Sequence, residues 1–168
     1  VLRRKPDGKL LPSAHAVDRE YRVIGALQAA GLPAPRVHGY CDAPGVLPTP
    51  FFVMEFVEGR IFFDPRLPAL PREERGALFD AMNDTLARLH SLDPAAIGLG
   101  DYGRPGNYMA RQIERWTKQY RASETGRIEA MERLIAWLPE RLAAADDPAV
   151  SVVHGDCRMD NLVFHPPE

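Results

Sequence analysis

The chain has 168 residues, 45% of them hydrophobic and 26% charged, a globular composition sufficient for one ordinary domain with a real core. Its formal charge of −2 is spread without a sustained run of one sign, so the basic footprint of a duplex-binding protein is missing and nucleic acid is not an expected partner. No apolar run approaches the roughly 20 residues needed to span a bilayer, and Cys41 and Cys157 lack the spacing of a disulfide framework or a zinc site; the expectation is a cytoplasmic chain with no membrane partner.

In chain order, Val1 to Arg4 reads as the end of a strand and KPDGKLLP as a loop with a DG turn signal. A helix is predicted next: Ser13 can cap it, Val17, Tyr21, Ile24 and Leu27 recur at helical spacing, and Gly31 sits where a left-handed terminator belongs. The stretch GLPAPRVHGYCDAPGVLPTP is too rich in Pro and Gly for a helix and wraps a short strand around Arg36 to Tyr40. FFVMEFVEG is the strongest strand signal, and composition turns helical after Gly59, which places a lobe boundary near Phe56 to Gly59.

Glu73 to Leu92 predicts an amphipathic helix with Leu78, Met82, Leu86 and Leu89 inward and Asp84 paired with Arg88 at i, i+4 outward. After the loop GLGDYGRPGN, a helix from about Tyr108 places Ile113, Trp116 and Tyr120 on one face, where core packing is the expected role of the aromatics. A third carries Ile128, Met131, Leu134, Ile135 and Leu138 and should stop before Pro139. Two β-rich segments, Val150 to Val153 and Leu162 to Phe164, are expected as strands bracketing a polar loop, a rigid setting in which catalytic groups are often presented.

That loop reads VVHGDCRMDNLVF. His154-Gly-Asp156 followed by Asn161 has the spacing of a kinase catalytic loop, in which an Asp orients and accepts the proton of an attacking hydroxyl and an Asn five residues on holds magnesium. Gly155 gives the backbone room to turn, and His154 reads as a buried hydrogen-bonding support. A dinuclear phosphatase would need further His and Asp ligands in clusters, and the five His here are scattered.

The elements VLRRKP, VDRE, FFVMEFVEG, LARLH and HGDCRMDN, in that order and over the whole chain, resemble the aminoglycoside phosphotransferase and choline kinase-like superfamily. KLLPSAHAVDREY, GDYGRPGNYMARQIERW and LIAWLPE are most similar to the branch fused to acyl-CoA dehydrogenases in some animal proteins. The resemblance implies an α+β, protein kinase-like two-lobe fold, with residues 1–57 a partial nucleotide-binding N-lobe, a hinge near 55–59, and residues 58–168 a partial C-lobe holding the catalytic loop 154–161. It implies an ATP- and Mg2+-dependent phosphotransferase acting on a small-molecule hydroxyl, possible partners being a hydroxyacyl-CoA substrate and a fused or cooperating acyl-CoA dehydrogenase. The alternatives are an aminoglycoside or other small-molecule kinase, or a non-catalytic nucleotide-binding pseudokinase.

Carried over by position, the resemblance makes Asp156 the catalytic base and Asn161 the magnesium ligand. Arg3 stands where a phosphate-contacting Lys is common, with Glu20 as its ion-pair partner; without the family, Arg3 with Arg4 and Lys5 reads first as a solvated strand end. Glu55 and Val57 would meet the adenine edge through backbone groups, with Met54 behind the base. His90, closing LARLH, would pack beneath the catalytic loop as a structural histidine. Arg158 and Asp160 would lie near the phosphates or the acceptor, or else be plain surface charge, and Tyr102, Arg104, Asn107, Tyr108 and Arg111 would lie on the acceptor side.

The glycine-rich strand pair expected before Val1 and a second metal-binding Asp after Asn161 are not among these residues, Asp160 being the last Asp. The chain therefore reads as a fragment, cut at both ends, of a kinase. Because metals and loop contacts neutralise the charge that develops in transfer, the 168 residues alone are expected to turn over weakly or not at all. Phosphate release or transfer from ATP by the purified chain is the measurement that checks this.

Overall fold

The computed structural model describes residues 1–6, 16–103, 106–142 and 150–165. They form two compact units, one of Val1–Gly100 with Ser151–Glu168 and one of Asp101–Val150.

The first unit is built on a three-stranded antiparallel sheet of order β1-β3-β2, from β1 (Leu2–Arg4), β2 (Val37–Cys41) and β3 (Phe51–Met54). The run FFVMEFVEG supplies the central strand, which explains its apolar density. Only its first four residues are strand, because pairing with β1 runs from Arg4↔Phe51 to Leu2↔Val53 and pairing with β2 ends at Val37↔Met54. A register shift between Val37 and Gly39 lets β2 follow the twist.

Helix α1 (Val17–Ala29) packs on this sheet. Tyr21 sets its ring 6.0 Å from that of Phe52 and 5.8 Å from that of Tyr40, and Phe52 is fully buried. Gly31 adopts φ +80° just past the helix, as its position predicts. Ser13 lies outside the described residues; Ala16 stands at the N-cap position and no side chain caps it.

Helix α2 (Arg72–His90) turns Leu78 and Leu89 into the interior, with Met82 partly buried. The expected Asp84–Arg88 pair gives way to a longer-range contact, since Arg88 Nη2 donates to the Gly31 carbonyl at 2.7 Å. Arg22 Nη2 does the same for the Gly98 carbonyl at 2.7 Å. The two arginines fasten α1 to the end of α2 and to the loop beyond it. Each satisfies a carbonyl that a helix end or turn would leave to solvent.

Between β3 and α2, a turn at Asp64 to Leu67 directs Leu67 inward. The Asp64 carboxylate accepts from the Arg66 amide at 3.0 Å and from its guanidinium at 3.0 and 2.8 Å. Leu67 takes φ +51°, a conformation that costs a branched residue energy, yet is only 2% exposed. It belongs to a core of Leu67, Leu78, Met159 and Phe164, flanked by Phe62, Leu70, Met82 and Leu162. Burial of that cluster offsets the strain and joins the turn, α2 and the polar loop into one body.

The bracketing strands expected around the loop form only at one point. Val150 to Val153 forms no strand and has no sheet partner among the described residues, and of Leu162 to Phe164 only Phe164 pairs, with Arg60. High β-propensity becomes strand only where another backbone supplies the ladder.

The second unit holds α3 (Tyr108–Ser123) and α4 (Glu129–Glu140). Arg121 clasps the Glu132 carboxylate across the two helices, one bond measuring 2.7 Å, and also reaches Glu124. That pairing holds the Glu132 carboxyl below its ordinary range. Two expectations are corrected. Pro139 lies inside the last turn of α4, which stops one residue later, because a missing amide costs little where the helix is already ending. Trp116 is 59% exposed and is not core, whereas Tyr120 on the neighbouring position is half-buried. Among the described residues no helix is long and apolar enough to cross a membrane.

The Asp64 turn gives a pH prediction. Bonding to Arg66 lowers the Asp64 pKa to about 2, so its contribution is complete above the usual unfolded value near 3.9 and is lost as pH falls through about 2. Urea midpoints of Asp64→Asn should lie below wild type at pH 6, and the gap should close as the pH approaches 2.

Candidate active site

The loop from His154 to Asn161 is anchored from below and wired from within. Met159, the one apolar side chain in DCRMDN, is 4% exposed and sits in the core with Leu67, Leu78 and Phe164. Met159–Asn161 close a single 3-10 turn, with the Asn161 amide donating to the Arg158 carbonyl at 3.0 Å. Gly155 has φ +80°, a left-handed position at which a side chain would be strained.

These constraints bring Asp156 and Asn161 together. Asn161 Nδ2 donates to the Asp156 carbonyl at 2.9 Å and to its Oδ2 at 3.0 Å. Both donor directions of the amide are thereby used, and its Oδ1 is left as an oxygen donor for a cation. The other Asp156 oxygen, Oδ1, lies 3.1 Å from Arg158 Nε, and Arg158 Nη2 lies 3.2 Å from Asp160 Oδ2. Arg158 thus bridges two carboxylates. The Asp156 amide donates to His154 Nδ1 at 3.2 Å. His154 is the expected hydrogen-bonding support, but it is exposed, not buried, because it precedes the glycine turn on the solvent side.

Magnesium prefers hard oxygen ligands, keeps several waters, and is commonly held by one or two protein groups together with substrate phosphates. The donor set of the loop, Asn161 Oδ1 with the carboxylates of Asp156 and Asp160, suits that ion. Among the described residues there is no group of three or more His, Cys, Asp or Glu that could form an all-protein cage.

A second cluster lies at the sheet. Arg3 clasps Glu20 with Nε at 2.8 Å and Nη2 at 3.3 Å from its carboxylate oxygens, and this hydrogen bonding raises the Arg3 pKa above its ordinary value. Among the described residues no hydrogen bond or ion pair joins this pair to the Asp156 loop. At the end of β3, Glu55 is held from both sides of its own residue: its amide donates to the Arg36 carbonyl at 2.8 Å, and its carboxylate accepts from the Arg36 amide at 3.0 Å. Met54 is half-buried, and among the described residues neither the Glu55 carbonyl nor the Val57 amide has a backbone partner.

His90 ends α2 with its side chain exposed, not packed beneath the loop as expected: the inward face of the helix runs through Leu78, Met82 and Leu89, and His90 falls one step past it. In the second unit, Tyr102 is half-buried, Asn107 takes φ +50° at the start of α3, Tyr108 is 55% exposed, and Arg111 donates to the Gly106 carbonyl. Arg104 lies outside the described residues.

Three residues escaped the sequence reading. Gly59 passes so close to the loop exit that a Cβ there would lie 2.6 Å from the Phe164 carbonyl oxygen and 2.6 Å from Val163 Cγ1. Arg60 pairs through its backbone with Phe164, at 2.8 and 2.9 Å, while its side chain reaches Glu74 at 2.7 Å and stacks 5.2 Å over Phe62. Met159 is the anchor described above. A lone apolar residue in a polar loop was a readable signal for Met159; the pairing of residues about a hundred positions apart had none.

Comparison with known proteins agrees with this geometry. The family model described as "Phosphotransferase enzyme family" matches residues 1–168. Acyl-CoA dehydrogenase family member 10 of Mus musculus is 51% identical over 166 residues, covering 99% of this chain and 15% of that protein. Acyl-CoA dehydrogenase family member 11 of Homo sapiens is 46% identical over 168 residues, covering 100% of this chain and 21% of that protein. A crystal structure from Ralstonia eutropha JMP134, assigned to the aminoglycoside phosphotransferases, superposes with a TM-score of 0.83 at 44% identity, over 99% of this chain and 48% of that one. The chain therefore spans 15% and 21% of these two dehydrogenase-named relatives and about half of the solved one. The shared fold is the α+β, kinase-like fold.

The close approach at Gly59 is testable. Gly59→Ala should destabilise by about 1–3 kcal/mol, the cost of forcing atoms into a filled space, and should speed amide exchange at Arg60 and Phe164. Gly76→Ala, in α2 with nothing near its Cβ, should leave stability unchanged or raise it by about 0.5–1 kcal/mol. Equal effects from the two substitutions would contradict the packing argument.

Proposed function

The chain belongs to the phosphotransferase enzyme family, and on that premise we propose that it carries the acceptor-activating half of an ATP-dependent small-molecule kinase. Asp156 accepts the proton of the attacking hydroxyl as the γ-phosphoryl group of ATP is transferred to it. The observation that carries this reading is the Asp156–Asn161 pair, in which one amide fixes the carboxylate and presents its own oxygen to a cation.

In such a transfer the protein's work is positioning and electrostatic stabilisation more than covalent chemistry. Asp156, held at both oxygens, presents a fixed lone pair to the acceptor, so the proton leaves the hydroxyl along a defined direction as the oxygen attacks. Bound Mg2+ would supply charge neutralisation at the phosphates, and Asn161 is the group that would hold it. On the sheet, Arg3 uses Nε and Nη2 on Glu20 and retains donors on Nη1 for a phosphate oxygen. The Glu55 carbonyl and Val57 amide offer an acceptor and a donor to an adenine edge, with Met54 behind the base, which makes residues 55–59 the hinge between an N-lobe of 1–57 and a C-lobe from 58 onward. Tyr102, Asn107, Tyr108 and Arg111 are the acceptor-side candidates.

For the acceptor, dehydrogenase-named relatives at 46–51% identity favour a hydroxyacyl-CoA, with an acyl-CoA dehydrogenase as the fused or cooperating partner. An aminoglycoside acceptor is the second reading, supported by the solved relative at 44% identity. Transfer from ATP assayed against both classes separates them.

Magnesium-ATP at about 100 times its dissociation constant should stabilise the purified chain by roughly 2.7 kcal/mol, visible as a raised thermal midpoint, and Asn161→Ala should shift less. An Asn161→Ala shift equal to wild type would remove Asn161 from the metal site. In a form of the chain extended to the length of its solved relative, Asp156→Asn should still bind nucleotide but lose transfer by a factor on the order of 100 or more; transfer at the wild-type rate would remove Asp156 from the chemistry.

A further inference from the structure

We infer that Asp160 is a positioning residue that acts on Asp156 through Arg158, so that the three side chains form one carboxylate–guanidinium–carboxylate clamp. This rests on the reading of Asp156 as the acceptor-activating carboxylate and adds to it the residue that sets its direction.

The geometry is specific. Asp156 is 62% exposed and Arg158 is 60% exposed, so neither is held by packing. The Asp156 Oδ2 is tied to Asn161 at 3.0 Å, but one contact leaves the carboxylate free to swing about that oxygen. A second contact, the ion pair from Arg158 Nε to Oδ1 at 3.1 Å, draws the other oxygen the opposite way and narrows that swing. An arginine that exposed, with a long flexible stem, would not hold a place on one exposed partner, because an isolated surface pair gains little against the side-chain entropy it costs. The contact from Nη2 to Asp160 Oδ2 at 3.2 Å gives it a second fixed partner, and Asp160 is only 30% exposed, the most enclosed of the three. Asp160 is also the best anchored, since it follows buried Met159 inside the 3-10 turn. Order therefore passes from core to turn, to Asp160, to Arg158, to Asp156.

Charge gives a second reason for the bridge. Arg158 paired with Asp156 alone would cancel the carboxylate that must attract a proton and sit near a cation. With Asp160 included, the trio keeps a net charge of −1, and the guanidinium divides its attraction between two anions. The planar fork of arginine suits two carboxylates at once, which a lysine ammonium serves only as a point charge.

Asp160→Asn removes the anchor while keeping the side-chain shape, Arg158→Met removes the bridge, and Arg158→Lys keeps its charge. In the purified chain, the Asn161 side-chain amide reports on Asp156, to which it is bonded. Its protons should exchange about threefold or more faster in Asp160→Asn and in Arg158→Met, and no faster in the double variant than in Arg158→Met, because coupled residues are not additive. Thermal midpoints should stay within about 1 °C, as expected for exposed side chains. In a form of the chain extended to the length of its solved relative, transferring phosphate from ATP to a hydroxyacyl-CoA, Asp160→Asn should lower kcat about tenfold with KM for ATP within about twofold, Arg158→Lys should retain more than Arg158→Met, and the double variant should match Arg158→Met. Unchanged Asn161 exchange, or losses in the two single variants that multiply in the double, would overturn the clamp. Those results together with an inactive Asp156→Asn would leave the assignment of Asp156 standing, whereas transfer retained by Asp156→Asn would overturn both.

Discussion

The backbone pairing of Arg60 with Phe164 is the constraint on which the first unit depends. It brings the segment that leaves the sheet against the segment that leaves the polar loop, and it can form only because Gly59 has no Cβ to strike the Phe164 carbonyl. Phe164 then enters the core with Leu67, Leu78 and Met159, so one closure fixes the turn before α2, α2 itself and the floor of the loop. Arg60 contributes through both halves of its structure, with its backbone in the bridge and its guanidinium held between Glu74 and the Phe62 ring. A loop closed over so many residues costs appreciable chain entropy, and the apolar burial under it is what offsets that cost.

Above that floor the loop itself is mostly exposed, and its order comes from polar contacts. The ion pairs there are too solvated to matter much for stability. Their value is directional: Asp156 is met at one oxygen by Asn161 and at the other by Arg158, and its amide is met by His154. A carboxylate left to rotate in water would present its lone pairs over a wide arc. Here the apolar anchor Met159 fixes height, Gly155 fixes the turn and the polar contacts fix orientation. A buried loop would be more rigid, but no acceptor could reach it.

Much of this was legible in the sequence where the signal is local. The strands around Leu2, Arg36 to Tyr40 and Phe52, the four α-helices and the Asp156–Asn161 spacing all follow from periodicity, turn residues and a short motif. The α+β, kinase-like fold came from the family resemblance that the quoted motifs carry, not from periodicity. What was not legible was set by partners distant in the chain. Val150 to Val153 has the composition of a strand and meets no ladder, while Phe164 meets one residue, Arg60, which no local pattern identifies. Arg88 has an acid one turn before it, yet donates to Gly31, because a carbonyl at a helix end is a better use of the guanidinium than an exposed carboxylate. Burial misled in the same way. His90 and Trp116 have the right residue type for packing but fall beside the inward face of their helices, and a shift of one position on a 3.6-residue period is enough to carry a side chain from core to solvent.

Arg3 shows how a departure from a family pattern can be read physically. Its place is commonly taken by lysine in the superfamily the chain resembles, and the pairing with Glu20 explains how arginine can stand there. A lysine ammonium sharing its charge between a carboxylate and a phosphate does so from one atom, so each partner weakens the hold of the other. In the phosphate-contacting role proposed for it, Arg3 would separate the two tasks. Nε and Nη2 are committed to Glu20 at 2.8 and 3.3 Å, in a fork that fixes the guanidinium plane. The donors that remain lie on the far edge of that plane, at a distance and angle set by the fork. The charge cannot be lost, since the pairing with Glu20 raises an already high pKa. The substitution of lysine by arginine is therefore no mere conservation of charge: it exchanges a mobile point charge for an oriented one, and it makes the orientation of Arg3 depend on α1, the helix that carries Glu20.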